Sequence, residues 1–332
     1  MPRPSRSTVF VMIGVLCAVV LVAASWITIP YYGEGPGPAR EVTPLISFDG
    51  RQRYEPAGTL VMTTVRERHL TLVTALAAWL DPEMTVRSAQ LIYPPGSAPA
   101  DEQRLSFSEM DQSKIDATYV VLRELTRYPK EHGSGALIES TVPGCSADGH
   151  LFPGDVVTAI DGEPIDSRSE ASRLIERAPV GRELSFALDV DGASEHAAFA
   201  RTACVEGADP LVGVSIVDTF PFRIAISSGE IGGPSAGLMW AIGLYELLTP
   251  GDLTGGATIA GTGTIDLTGR VGGIGGIVDK VLGAEHAGAS LFLVPQPNMV
   301  DLQGVDTGSM RVVPVSTFDE AIHVLRAAST QA

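Results

Sequence analysis

Ile231-Gly232-Gly233-Pro234-Ser235-Ala236-Gly237 runs straight into the apolar stretch Leu238 to Leu248, LMWAIGLYELL, and this junction decides the reading of the chain. A glycine-rich turn hands a serine to the start of a helix, where Pro234 suits the first turn. The first amides of a helix lack intrahelical partners and lie at the positive end of its dipole. Ser235 is therefore either an ordinary residue of a helix start or a nucleophile whose oxyanion those amides would hold. In the second case Gly233, Pro234 and Ala236 shape and support the turn.

The next chemical residue is Lys280, 45 positions on, within Gly272-Gly273-Ile274-Gly275-Gly276-Ile277-Val278-Asp279-Lys280-Val281-Leu282-Gly283-Ala284. Its neighbours three and four positions away are Gly276, Ile277, Gly283 and Ala284, so a helix gives it no ion-pair partner. Asp279 is adjacent and lies on another side. A lysine near its ordinary pKa is neutral about once in a thousand molecules at pH 7.4, so a lysine base requires desolvation. Bringing it to about 7.5 takes roughly 4 kcal/mol. The alternative is a lysine that lays its stem on an apolar face and keeps its head in water.

Outward from this pair, residues from about 205 alternate strands and helices as a compact α/β unit does. In the hairpin, alternation places Thr264, Asp266 and Thr268 on one face and Ile265 and Leu267 on the other, with Gly269 at the turn. Thr262 or Thr264 either orients the lysine or is a plain strand residue. Residues 133 to 200 read as short strands broken by turns around one helix, SEASRLIERA. Within them Leu151-Phe152-Pro153-Gly154-Asp155-Val156-Val157-Thr158-Ala159-Ile160-Asp161-Gly162 places Asp155 to bond local amides and turns Val157 and Ile160 inward.

That last run resembles the signature of bacterial PDZ modules found in peptidases. Such modules add an extended peptide as a strand, and the resemblance puts the carboxylate loop at Gly133-Ser134-Gly135-Ala136. A binding groove and a structural spacer both remain open. The segments from about Val214 to Pro295, namely IGGPSAGLMWAI, IAGTGTIDLTGRVGGIGGI, the Lys280 helix and SLFLVP, resemble the proteolytic domain of Lon-type peptidases. The resemblance implies a Ser235–Lys280 dyad, a serine endopeptidase acting on unfolded or peptide substrates, and a homo-oligomer, commonly a hexameric ring. The chain has no G-x-x-x-x-G-K-[ST] run, so no ATPase motor is visible. No cofactor and no metal is expected.

Thr8 to Ile29 carries no charge over about 22 positions, a helix of about 33 Å. Arg3 and Arg6 precede it and the first acidic residue is Glu34, which predicts a single-pass membrane helix with a cytoplasmic N-terminus and the bulk of the chain outside. Small residues Ala23-Ala24-Ser25 leave a cleaved signal peptide as the rival. Gly33-Glu34-Gly35-Pro36-Gly37-Pro38 reads as a juxtamembrane linker. The helical run Ser113 to Tyr128 reads as a connector without chemistry.

The fold class is α/β (α+β) and multi-domain: 1–33 tip and transmembrane helix, 34–128 linker and small mixed segment, 129–203 PDZ-like, 204–332 Lon-type. With 332 residues and a net charge of -16, the chain is large enough for several cores and too acidic for a nucleic-acid surface. Three cysteines without metal-ligand spacing exclude a zinc or redox motif. Cys145 and Cys204 form a disulfide or stay unpaired.

Three other readings compete. Gly233-Pro234-Ser235-Ala236-Gly237 also fits a nucleophile elbow, which would need Asp252 or Asp266 and then His286 or His323. The glycine-rich turns could hold phosphate in a small-molecule kinase. The chain could also be an inactive membrane-anchored PDZ adaptor.

Overall fold

The computed structural model describes residues 6–92, 98–204 and 210–330; Arg3 lies outside them. In chain order the elements are α1 (Arg6–Trp26), β1 (Thr28–Pro36), β2 (Arg40–Glu41), β3 (Ile46–Phe48), β4 (Thr59–Met62), β5 (Val65–Thr71), α2 (Leu72–Leu80), β6 (Thr85–Ser88), α3 (Ala89–Ile92) and α4 (Pro99–Leu125). There follow β7 (Ala136–Thr141), β8 (Val156–Ile160), β9 (Glu163–Pro164), α5 (Arg168–Arg177), β10 (Glu183–Val190), β11 (Ala193–Ala200), β12 (Thr202–Ala203) and β13 (Pro210–Leu211). The remainder is β14 (Val214–Asp218), β15 (Ile224–Ile226), α6 (Gly237–Leu248), β16 (Thr258–Gly261), β17 (Thr264–Ile265), β18 (Val271–Gly272), α7 (Ile277–His286), β19 (Leu291–Pro295), β20 (Arg311–Val315) and α8 (Phe318–Ser329).

The N-terminal helix differs from its predicted bounds. It ends at Trp26, and from Thr28 the chain runs on as β1, whose backbone pairs in a sheet in the order β5-β1-β6. Among the described residues no helix is long and apolar enough to cross a membrane. The predicted linker Gly33 to Pro38 is likewise corrected. Its first four residues lie in β1, which pairs antiparallel on both sides. The glycines are there for close approach: a Cβ at Gly35 would sit 2.5 Å from Met84 Sδ.

The unit that carries Ser235 and Lys280 is built on a five-stranded sheet in the order β2-β4-β16-β19-β20, with β4, β16, β19 and β20 parallel. Two of its strands come from the segment expected to form a separate 34–128 piece. The run Leu60-Val61-Met62 is buried, as a strand covered on both faces requires. Helix α6 is buried along almost its full length, with Trp240 at the centre of the largest core. That core also takes Met110, Ala117, Val120 and Val121 from α4 and the stripe Phe318, Ala321, Ile322 and Leu325 from α8, the face its periodicity predicts.

The second core belongs to β7, β8, α5, β10 and β11. Here Val157 and Ile160 point inward, and Asp155 Oδ2 accepts from the amide of Phe152 at 2.8 Å. Cys145 and Cys204 are joined as a disulfide, which closes the alternative left by the sequence. The boundary expected after residue 203 is crossed by β14, which pairs antiparallel with β7 and completes this sheet in the order β11-β10-β8-β7-β14. A small apolar cluster of Ile115, Leu137, Val217, Tyr119 and Leu267 joins α4 and the two units.

Candidate active site

The turn before α6 folds as a single 3-10 turn over Pro234–Ala236. Gly233 holds φ +81, a region that favours glycine, and its amide donates to the carbonyl of Ser106 on α4 at 2.7 Å. Ser113, about two turns further along the same face of α4, donates from Oγ to the carbonyl of Pro234 at 3.0 Å. On the other side the Ser235 carbonyl accepts from the amide of Gly263 at 2.8 Å and from Thr262 Oγ1 at 3.0 Å. Two bonds to α4 and two to the adjacent residues Thr262 and Gly263 thus fix the backbone around the serine.

Gly276, in the left-handed region at φ +64, precedes helix α7, which brings Lys280 in on its first turn. The lysine is 4% exposed. Its Nζ donates to Ser235 Oγ at 2.6 Å and to Thr262 Oγ1 at 3.2 Å. Burial pulls its pKa down to about 8, the direction desolvation imposes on an ammonium. Of the two candidate orienting residues, Thr262 takes the contact; Thr264 faces Gly272 in the hairpin.

Ser235 and Lys280 open on a cleft of about 490 Å³ whose far wall comes from Glu34, Arg40, Met62 and Thr63. The rival acid and base residues are engaged elsewhere. His286 Nε2 faces Glu83 at 3.4 Å and His323 is exposed on α8. Asp252 caps its own turn through Thr254, and Asp266 does so through Thr268 and Arg270. Among the described residues no group of His, Cys, Asp and Glu could hold a metal ion.

Ser106, Met110 and Ser113 are contributors the sequence reading missed. Met110 lines the cleft, and its Sδ accepts from Trp240 Nε1 at 3.4 Å. A signal was present: Ser113 stands in an apolar stripe with Met110, Ala117 and Val120, and a buried hydroxyl needs a partner.

The predicted carboxylate loop is already engaged. Gly133 donates to the carbonyl of Thr219 and Gly135 to that of Asp166, each at 3.1 Å, while Ala136 pairs with Asp218. Ser134 sits between them.

Over residues 214–328 the chain matches the Lon protease C-terminal proteolytic domain, and over residues 137–188 a PDZ domain. It is 38% identical over 112 residues to Lon protease of Chloroflexus aurantiacus, covering 32% of this chain and 13% of that protein. To Lon protease 2 of Herpetosiphon aurantiacus it is 41% identical over 95 residues, 28% of this chain and 11% of that one. The chain thus spans little more than a tenth of these relatives. A crystal structure of the PDZ domain of an SdrC-like protein from Listeria innocua is 27% identical, with 25% of this chain and 92% of that one covered at a TM-score of 0.23. The chain carries a Lon-type proteolytic domain with a PDZ domain ahead of it.

Proposed function

We propose that the protein is a serine endopeptidase that cuts unfolded or peptide segments with Ser235 as nucleophile and Lys280 as general base. The observation that carries this reading is the 2.6 Å contact between the Nζ of buried Lys280 and the Oγ of half-buried Ser235 at the cleft. Neutral Lys280 takes the Oγ proton as Oγ attacks the scissile carbonyl carbon. The amides of Ser235 and Ala236, at the positive end of α6, receive the oxyanion. Collapse expels the amine, which takes the proton from Lys280, and leaves an acyl-Ser235. Water, deprotonated by the lysine, then releases the acid and restores the hydroxyl. Gly233 and Pro234 hold the turn, and Thr262 orients the lysine while its own hydroxyl proton stays on the Ser235 carbonyl.

The uncharged run Thr8 to Ile29 is the basis for attaching the protein to the cell membrane as a single-pass protein with a cytoplasmic N-terminus. A disulfide at Cys145–Cys204 accords with an extracytoplasmic, oxidising location for the rest. Assembly as a homo-oligomer, a hexameric ring by likeness to Lon-type domains, and peptide recognition by the PDZ unit complete the proposal. Cleavage of an unfolded protein by the full chain in mild detergent, without nucleotide, tests the catalytic part: activity must vanish in both Ser235→Ala and Lys280→Ala. Activity surviving in Ser235→Ala contradicts it. A reporter fused at Pro38 that reads cytoplasmic contradicts the topology.

A further inference from the structure

The edge of β7 on which a PDZ domain receives a peptide is filled by the chain itself. β14 pairs antiparallel with β7, from Val214 opposite Thr141 to Asp218 opposite Ala136, so its C-terminal end lies at the Gly133–Gly135 loop. An added peptide strand would present the same end to that loop. Around Asp218 the fit is that of a bound terminus. Its Oδ1 accepts from the amide of Arg168 at the start of α5 at 2.8 Å, and its Oδ2 faces Arg168 Nε at 3.6 Å. The Asp218 carbonyl accepts from Tyr128 Oη at 2.6 Å, and the next carbonyl, Thr219, accepts from Gly133. Ile216 packs against the second core and lines one open pocket with Arg168, Ser172 and Arg173 of α5. This strand also opens the stretch matched to the proteolytic domain, at residue 214.

We propose that β14 is a built-in ligand of the PDZ groove, and that an extended peptide with an apolar residue at the Ile216 position and a carboxylate at the Asp218 position enters only by displacing it. The inference rests on the peptide-recognition part of the proposed function and is independent of the Ser235–Lys280 chemistry. A groove that is closed most of the time weakens the observed affinity by the fraction of time it is open.

The test uses the full chain carrying Ser235→Ala, in mild detergent, with a fluorescein-labelled peptide GVSIVD bearing a free C-terminus. Adding Ile216→Asp, a change at a half-buried position, is expected to tighten binding about tenfold by opening the groove. In the Ser235→Ala chain alone, peptide at high concentration raises amide exchange across 214–218 and leaves 291–295 unchanged. Equal affinity in the two chains, with the fold of Ile216→Asp intact by circular dichroism, overturns the proposal. So does peptide binding without faster exchange in 214–218, or no binding at millimolar peptide; the exchange arm decides if Ile216→Asp does not fold. The experiment reads no peptidase activity, so its failure is distinct from failure of the catalytic reading.

Discussion

Ser113 Oγ on α4 donates a 3.0 Å hydrogen bond to the carbonyl of Pro234, the residue before Ser235. A helix read from sequence as a plain connector is one of the supports of the turn that carries Ser235. Ser113→Ala leaves that carbonyl without its donor and loosens the turn, so kcat is expected to fall about tenfold with KM nearly unchanged. Steady-state kinetics on a peptide substrate checks this, and an unchanged kcat counts against the positioning role.

The lysine sets the pH dependence. With its pKa brought down to about 8 by burial, activity is expected to rise with pH through an inflection near 8, as the base loses its proton. Thr262→Val removes an acceptor that favours the ammonium, so the inflection should move to lower pH while the rate falls. A pH–rate profile for both proteins settles the sign.

The same burial makes the lysine costly to the fold. Burial favours the neutral amine, so the charged lysine costs the fold roughly 3 kcal/mol, in full below about pH 8 and progressively less as pH rises toward its ordinary pKa. Lys280→Met should be inactive yet melt at a higher temperature at pH 7. A lower melting temperature would show that Lys280 stabilises the fold.

Asp116 on α4 is buried, its Oδ1 has no hydrogen-bond partner, and it faces Glu139 on β7 and Asp266. Desolvation first, then these carboxylates, push its pKa up to about 8. The folded chain therefore binds this proton more tightly than the unfolded chain. Its contribution is complete below about pH 4 and is lost as pH rises through 8. Asp116→Asn should gain stability over wild type progressively between pH 5 and 9 in thermal melts. Glu246, raised to about 7 by burial, leaves a residual slope of the same sign.

The disulfide spans a separation of 59 residues, for which loop entropy gives about 4 kcal/mol. Replacing Cys145 and Cys204 together by alanine should lower the denaturant midpoint of the PDZ unit. Under denaturing, non-reducing conditions thiol titration should find one free thiol, Cys17.

What the sequence disclosed was local. Ser235 and Lys280 stood out because each sits in a glycine-punctuated turn feeding an apolar helix, and α8 announced its buried stripe through spacing alone. The turn at Leu151 to Gly162 likewise carried its own signature. What stayed hidden depends on partners distant in sequence. Nothing in Thr59 to Met62 says that it pairs with Thr258 to Gly261, and nothing in Val214 to Asp218 says that its edge belongs to β7. The glycines of β1 misled because chain flexibility and close packing leave the same residue in the sequence. Ser106 and Ser113 were missed because the amide that bonds the first and the carbonyl that accepts from the second lie on another element.

The most direct measurement of the account is covalent. A serine-directed electrophile is added to the full chain, and the adduct is located by peptide mass spectrometry as a function of pH. Labelling is expected to be confined to Ser235, at a rate that rises through an inflection near pH 8, and to be lost in Lys280→Met with its fold intact. Labelling of Ser235 at an undiminished rate in Lys280→Met, or labelling of another serine alone, would contradict it.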